Sequence, residues 1–185
     1  MSSNTFVNQY FEHMNIYLLG YMGSGKSTIG PLLADHLSYE FLDFDDYIEE
    51  KEKNSISTIF KDKGEIYFRK VEHKYLKELL SQNNDINRVV ALGGGTPCYS
   101  GNMDVLDKHN TIYLNVSFQQ LSARLWKARE HRPLISSMKD YEQLEDYVRK
   151  HLFERSFYYN QANIVLKVGE DTAQEMVTKI ISKLF

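Results

Sequence analysis

Three observations predict an α/β fold of three layers (α/β/α), with helices on both sides of a five-stranded parallel sheet. The first is the stretch Gly20-Tyr21-Met22-Gly23-Ser24-Gly25-Lys26-Ser27-Thr28, which meets the phosphate-loop (P-loop) pattern G-x-x-x-x-G-K-[ST] directly after the apolar run Ile16-Tyr17-Leu18-Leu19. The second is the return of strand-like runs at Asn15–Leu19, Glu40–Leu42, Arg88–Leu92, Thr111–Asn115 and Asn163–Leu166, with helical periodicity between them. Such alternation builds right-handed strand–helix–strand units around a parallel sheet. The third is size: 185 residues, 42% of them hydrophobic, suffice for one domain with a sizeable core and are too few for two. Residues 1–13 read as an N-terminal extension ahead of a single domain spanning 14–185.

The elements follow in order. After the first strand, the glycines let backbone N–H groups converge on a phosphate, with the positive end of a helix over Lys26–Leu37 behind them. Pro31 stands inside that helix, where it should lose the bond to the Ser27 carbonyl and bend the axis. Short helices are expected over Asp46–Lys53, Ser57–Lys61 and Asn102–Lys108. Longer ones are expected over Glu65–Leu80, Phe118–Trp126, Tyr141–Tyr159 and Thr172–Leu184. Two segments interrupt the alternation: residues 45–68, rich in charge, and residues 127–140, basic and containing Arg132-Pro133. Ligands of such folds bind beyond the carboxyl ends of the strands. The first segment is therefore expected to form a substrate-binding insertion and the second a lid.

Composition narrows the function classes. Lys and Arg total 22 against 25 Asp and Glu, a net charge of -3, so no global attraction draws the chain to nucleic acid or an anionic membrane. A single cysteine, Cys98, excludes an internal disulfide and a cysteine-rich zinc site. No apolar run reaches membrane-spanning length and residues 1–13 lack the apolar core of a signal peptide. A cytoplasmic monomer acting on a small molecule is expected.

The phosphate loop points to a nucleotide. Gly23, Ser24, Gly25, Lys26, Ser27 and Thr28 would hold its phosphates, Lys26 would reach the β- and γ-phosphates, and the Ser27 hydroxyl would sit on Mg²⁺. Asp43 and Asp45, two apart at the end of an extended segment, would point the same way, toward that nucleotide. A second reading has Asp45 or Asp46 capping the next helix, with Glu49 closing an Asp-x-x-Glu box behind Asp46. The third strand runs into Gly93-Gly94-Gly95 without an acid, which leaves Asp43 as the nearest candidate to assist the metal and frees Asp45 to accept a hydrogen bond from a hydroxyl. Three successive glycines allow close approach of a ligand to unshielded backbone. Arg155 shares a helical stripe with Leu144, Val148 and Leu152, so its guanidinium needs an anionic partner near the core. Arg69 follows Phe68 early in the Glu65 helix, and Arg124 and Arg132 flank the basic run Lys127, Arg129 and His131.

Taken together these motifs resemble the shikimate kinase family. The likeness rests on the phosphate loop, Asp43-Phe44-Asp45, Gly64-Glu65 with Phe68-Arg69, Gly93-Gly94-Gly95, Arg132-Pro133-Leu134-Ile135, and Glu154-Arg155 with Tyr158. The resemblance implies transfer of the γ-phosphoryl group of MgATP to the 3-hydroxyl of shikimate, a step toward chorismate and the aromatic amino acids. It implies that Ser27 ligates Mg²⁺ and Asp43 supports it through water. Asp45 would grip the substrate hydroxyls, and Arg69, Arg155 and the Gly94 backbone would bind its carboxylate end and ring. Lys26, Asp45 and Arg132 carry the catalytic expectation; Arg132 would reach the phosphates from the lid, and Arg124 would lie along the adenine. A gluconate kinase of similar fold, or a non-catalytic nucleotide-binding module, is the alternative. A GTPase-type switch is disfavoured because no D-x-x-G follows the loop and no [NT]-K-x-D occurs.

Overall fold

The computed structural model describes residues 15–82, 86–99, 101–131 and 134–185. The expected extension over residues 1–13 and the pair Arg132-Pro133 lie outside them. Strands β1 (Ile16–Leu19), β2 (Glu40–Asp43), β3 (Arg88–Ala91), β4 (Asn110–Val116) and β5 (Ile164–Val168) form one parallel sheet in the order β2-β3-β1-β4-β5. Central β1 pairs with β3 through Leu18 and Ala91 and with β4 through Leu18 and Ile112. All four of its residues are fully buried. That is why it reads as an unbroken apolar run, whereas edge strand β5 alternates buried and exposed positions after Val165.

Among the described residues seven helices flank the sheet: α1 (Lys26–Leu37), α2 (Phe44–Glu52), α3 (Ile56–Leu80), α4 (Asn102–Leu106), α5 (Phe118–Lys127), α6 (Tyr141–Tyr159) and α7 (Ala173–Leu184). α1 packs on α7 and against β2 and β3, while α3, α4 and α6 gather around a 3-10 turn at Thr96–Cys98 and α5 lies on α6. Side chains of Ser55, Ser117, Asp140 and Thr172 accept backbone N–H groups at the starts of α3, α5, α6 and α7. Each such cap stabilises its helix by about 1 kcal/mol.

Three local expectations are revised. α1 continues through Pro31 as one helix, carried by burial of Ile29, Leu33 and Ala34 on the sheet. Gly30 lies against the Phe41 ring, where a β-carbon would come within 2.3 Å, so helix and β2 approach more closely than a side chain allows. The Ser57 and Glu65 helices join into α3, with a break at Gly64, whose φ of 78° suits glycine. Finally, α2 begins at Phe44, immediately after the strand, because the Asp43 carboxylate caps it by accepting the Asp45 N–H at 3.0 Å.

Candidate active site

The site lies beyond the carboxyl ends of β1, β2 and β3, beside the point where the strand order reverses. Gly25, with φ 101°, turns the chain into α1, whose first turn carries no acidic residue and so leaves the positive helix end to an anion. Lys26 is nearly buried, and its Nζ donates to the carbonyls of Gly20 at 2.7 Å and Tyr21 at 3.2 Å. The ammonium is thus held inside the loop, where a phosphate would meet it. Ser24 turns its hydroxyl inward, buried and with no hydrogen-bond partner among the described residues, while its amide donates to the Tyr21 carbonyl.

A cavity of about 270 Å³ is shared by Gly23, Gly25, Lys26, Ser27 and Thr28 with Asp43, Asp45, Gly93 and Gly94. The two carboxylates do converge, but not by strand alternation: Asp43 ends β2 and Asp45 stands in the first turn of α2. The cap expected from Asp45 or Asp46 comes instead from Asp43, one of whose oxygens accepts the Asp45 N–H while the other accepts the Ser27 hydroxyl at 3.2 Å. Asp45 is pushed up to about 6 by burial, reinforced by the negative charges of Asp43 and Glu72 and opposed by Lys26. A carboxyl so poised exchanges its proton close to neutral pH. Among the described residues no group of three or more His, Cys, Asp or Glu could hold a metal. The adjoining Ser27 and Asp43 oxygens nonetheless suit Mg²⁺, which keeps several waters and takes its other ligands from phosphates.

Each glycine of Gly93-Gly94-Gly95 makes room for a different neighbour. A β-carbon would fall 2.6 Å from Asp45 Oδ1 at Gly93, 3.3 Å from the Met22 amide nitrogen at Gly94, and 2.9 Å from Arg69 Nη1 at Gly95. The Gly94 carbonyl accepts from the Tyr159 hydroxyl and from Arg155 Nη1 at 3.4 Å. Arg155 follows the buried Leu144 and Val148 on α6, as its stripe predicts. Among the described residues it makes no ion pair with a carboxylate, so it retains capacity for an anionic ligand.

Arg69 is not a solvated helix residue. Its Nη1 pairs with Glu72 at 3.0 Å and its Nη2 with Glu65 at 3.2 Å, and the guanidinium lies 4.0 Å from the Tyr99 ring centre. Glu72 is 1% exposed and also accepts the Thr96 hydroxyl at 2.6 Å. Sequence reasoning missed Glu72, although an acid amid Phe68, Val71, Tyr75 and Leu79, three residues after an arginine, was a signal for a buried pair.

On the other side of the phosphate loop, a second cavity of about 260 Å³ is lined by Gly25, Thr28, Arg124, Val168, Asp171 and Met176, among others. Arg124 donates to the Gly23 carbonyl at 3.2 Å. Of the expected lid, Arg129 lies 4.1 Å from the Trp126 ring centre and Ile135 is fully buried. The sites expected at Lys26, Ser27, Asp43, Asp45 and Gly94 share one cavity; Arg155 reaches it through Gly94, and Arg69 lies against Gly95. Arg124 stands apart, on the second cavity.

A phosphate cradle that opens onto an acid able to meet a hydroxyl marks a P-loop kinase of small molecules. The chain is such an enzyme, and it belongs to the shikimate kinase family, whose model matches residues 22–185. The shikimate kinase of Flavobacterium johnsoniae is 44% identical over 171 residues, covering 91% of this chain and 98% of that protein. The crystal structure of shikimate kinase from Bacteroides thetaiotaomicron superposes with a TM-score of 0.84 at 32% identity, covering 92% of this chain and 98% of the other. Shikimate kinase from Acinetobacter baumannii in complex with shikimate gives 0.82 at 33% identity, with 94% of each chain covered. Among the described residues no helix is long and apolar enough to cross a membrane.

Proposed function

We propose that the chain transfers the γ-phosphoryl group of MgATP to the 3-hydroxyl of shikimate, releasing ADP and shikimate 3-phosphate on the route to chorismate. The observation that carries this reading is the cavity common to Lys26 and Asp45, with Arg155 bonded to the Gly94 carbonyl at its wall. Gly23 to Thr28 hold the phosphates. Ser27, and Asp43 through water, would hold Mg²⁺, which would supply neutralisation of the phosphate charge. Asp45 orients the 3-hydroxyl and receives its proton as the oxygen bonds to the γ-phosphorus and the bond to the bridging oxygen of ADP breaks. Lys26 leaves the Gly20 and Tyr21 carbonyls for the transferring group, and Arg132 joins it from the lid. Arg69 and Arg155 take the substrate carboxylate, a planar anion matched by the guanidinium fork. Arg124 lies along the adenine, at the second cavity. A monomeric enzyme in the cytoplasm, where ATP is supplied, completes the proposal.

The test is a coupled ADP-release assay with shikimate, quinate and gluconate as acceptors. Turnover with shikimate far above the other two is expected. Preference for gluconate would overturn the assignment of substrate, and no turnover with any acceptor would favour a nucleotide-binding module.

A further inference from the structure

The phosphate loop is tied to α6 by one side chain. Tyr21, the second residue of the loop motif, is almost wholly buried, and its hydroxyl lies 2.9 Å from Nδ1 of His151. The two rings meet edge to face at 5.6 Å, and Tyr147, one turn earlier on α6, tilts against His151 at 5.0 Å. Burial holds the phenol above its usual range, and burial together with the Arg155 guanidinium holds the imidazole below its own. A neutral phenol and a neutral imidazole therefore share one hydrogen bond, whose direction follows the tautomer of His151. His151 stands one helical turn before Arg155, whose guanidinium lies 5.7 Å from the centre of the Tyr21 ring. At its other end, the Tyr21 carbonyl accepts from Lys26 Nζ and the Ser24 amide. A single residue thus touches both the lysine that meets nucleotide and the helix that carries the substrate arginine.

We propose that Tyr21, anchored by His151, is a positioning residue that couples nucleotide binding to shikimate binding; this deepens the kinase reading and rests on it. When Lys26 turns from the loop carbonyls to the phosphates, the Tyr21 carbonyl gives up a charged donor and the loop backbone resettles. The packed ring cannot move independently of that backbone, so the displacement reaches His151 and the stripe bearing Arg155. Gly94 gives the path a second contact, since it lies against the Met22 amide and accepts from Arg155. Coupling of this kind is reciprocal, so shikimate must favour nucleotide by the same factor.

The experiment measures the dissociation constant of shikimate by calorimetry on the full chain, with and without a non-hydrolysable ATP analogue and Mg²⁺. In the wild type the analogue is expected to tighten shikimate by at least ~5-fold, the lower end of typical coupling. Tyr21→Phe keeps the ring and removes the hydroxyl, and should reduce that factor to below ~2-fold. His151→Leu should do the same, and the double variant should be no worse than either single one, because both remove one bond. His151→Asn, whose amide can accept from or donate to the phenol oxygen, should recover part of the factor. A merely structural role would weaken both ligands and leave the factor unchanged. An unchanged factor in Tyr21→Phe, or no coupling in the wild type, overturns the proposal. Failure of the wild type to bind shikimate under either condition would instead defeat the kinase reading itself.

Discussion

Gly93 and Asp45 compete for the same space: a β-carbon on Gly93 would lie 2.6 Å from the Asp45 carboxylate oxygen. Gly93→Ala is therefore expected to drive the carboxylate off its position while the sheet beneath persists. A misplacement of about 1 Å can lower turnover by ~10²-fold. Gly95→Ala, whose β-carbon would crowd Arg69 at 2.9 Å, should instead act mainly on KM for shikimate. Steady-state kinetics on both variants, with circular dichroism to check folding, separates the two effects. Wild-type kcat in Gly93→Ala would remove Asp45 from the transfer step.

Asp45 should leave its mark on pH dependence. Its folded-state pKa of about 6 stands above the ordinary 3.8, so between these values the folded chain binds more protons than the unfolded one. Stability therefore falls as pH rises through that window, by about 3 kcal/mol if the whole shift is realised. Melting temperatures of Asp45→Asn should exceed those of wild type at pH 7.5, and the gap should narrow toward pH 4. In wild type, kcat/KM for shikimate should climb through about pH 6 as the carboxylate becomes able to accept a proton. A flat profile from pH 5 to 7 would exclude Asp45 as the titrating base.

Lys26→Ala removes the ammonium that the loop carbonyls hold beside the phosphate site. Loss of one preorganised donor typically lowers kcat by ~10²–10³-fold, and a full cationic charge should reach the upper end. The far-ultraviolet spectrum should stay that of wild type. Arg132→Ala, at the proposed phosphate contact, should also lower kcat, and unchanged kinetics would exclude that role.

Arg155→Ala should raise KM for shikimate by at least ~10-fold, the scale of one charged hydrogen bond, with a much smaller effect on ATP. Equal loss for both ligands would show that the residue only supports the packing of α6.

Glu72→Gln tests the buried pair. Removing one partner of such a pair costs about 3–5 kcal/mol when the other charge stays buried, and here Arg69 keeps its pair with Glu65, so the lower end is expected. Urea unfolding should show the loss, and KM for shikimate should rise because Arg69 is no longer held. A stability change below 1 kcal/mol would mean that Glu72 contributes little to placing the arginine.

Much of the fold was legible because its signals are local. The phosphate loop is written in nine consecutive residues, and a strand pattern before it and a helix pattern after it fix its setting. Strand and helix limits fell within a few residues of those expected, since periodicity reflects which side of each element meets the core. The convergence of Asp43 and Asp45 was also foreseen, but the cause was mistaken. A capping bond at Asp43 starts α2 one residue later, so a helical turn aims Asp45 where strand alternation had been expected to do so.

The amino-acid order by itself determined the element sequence, the phosphate loop and the residue types that line the site, because each is encoded within a turn or two of chain. Only the tertiary structure decided which groups meet: Glu72 with Thr96, Gly95 with Arg69, Gly30 with Phe41, and Tyr21 with His151 across 130 positions. Such meetings depend on how helices settle on the sheet, to within a few tenths of an ångström, and no local period carries that information.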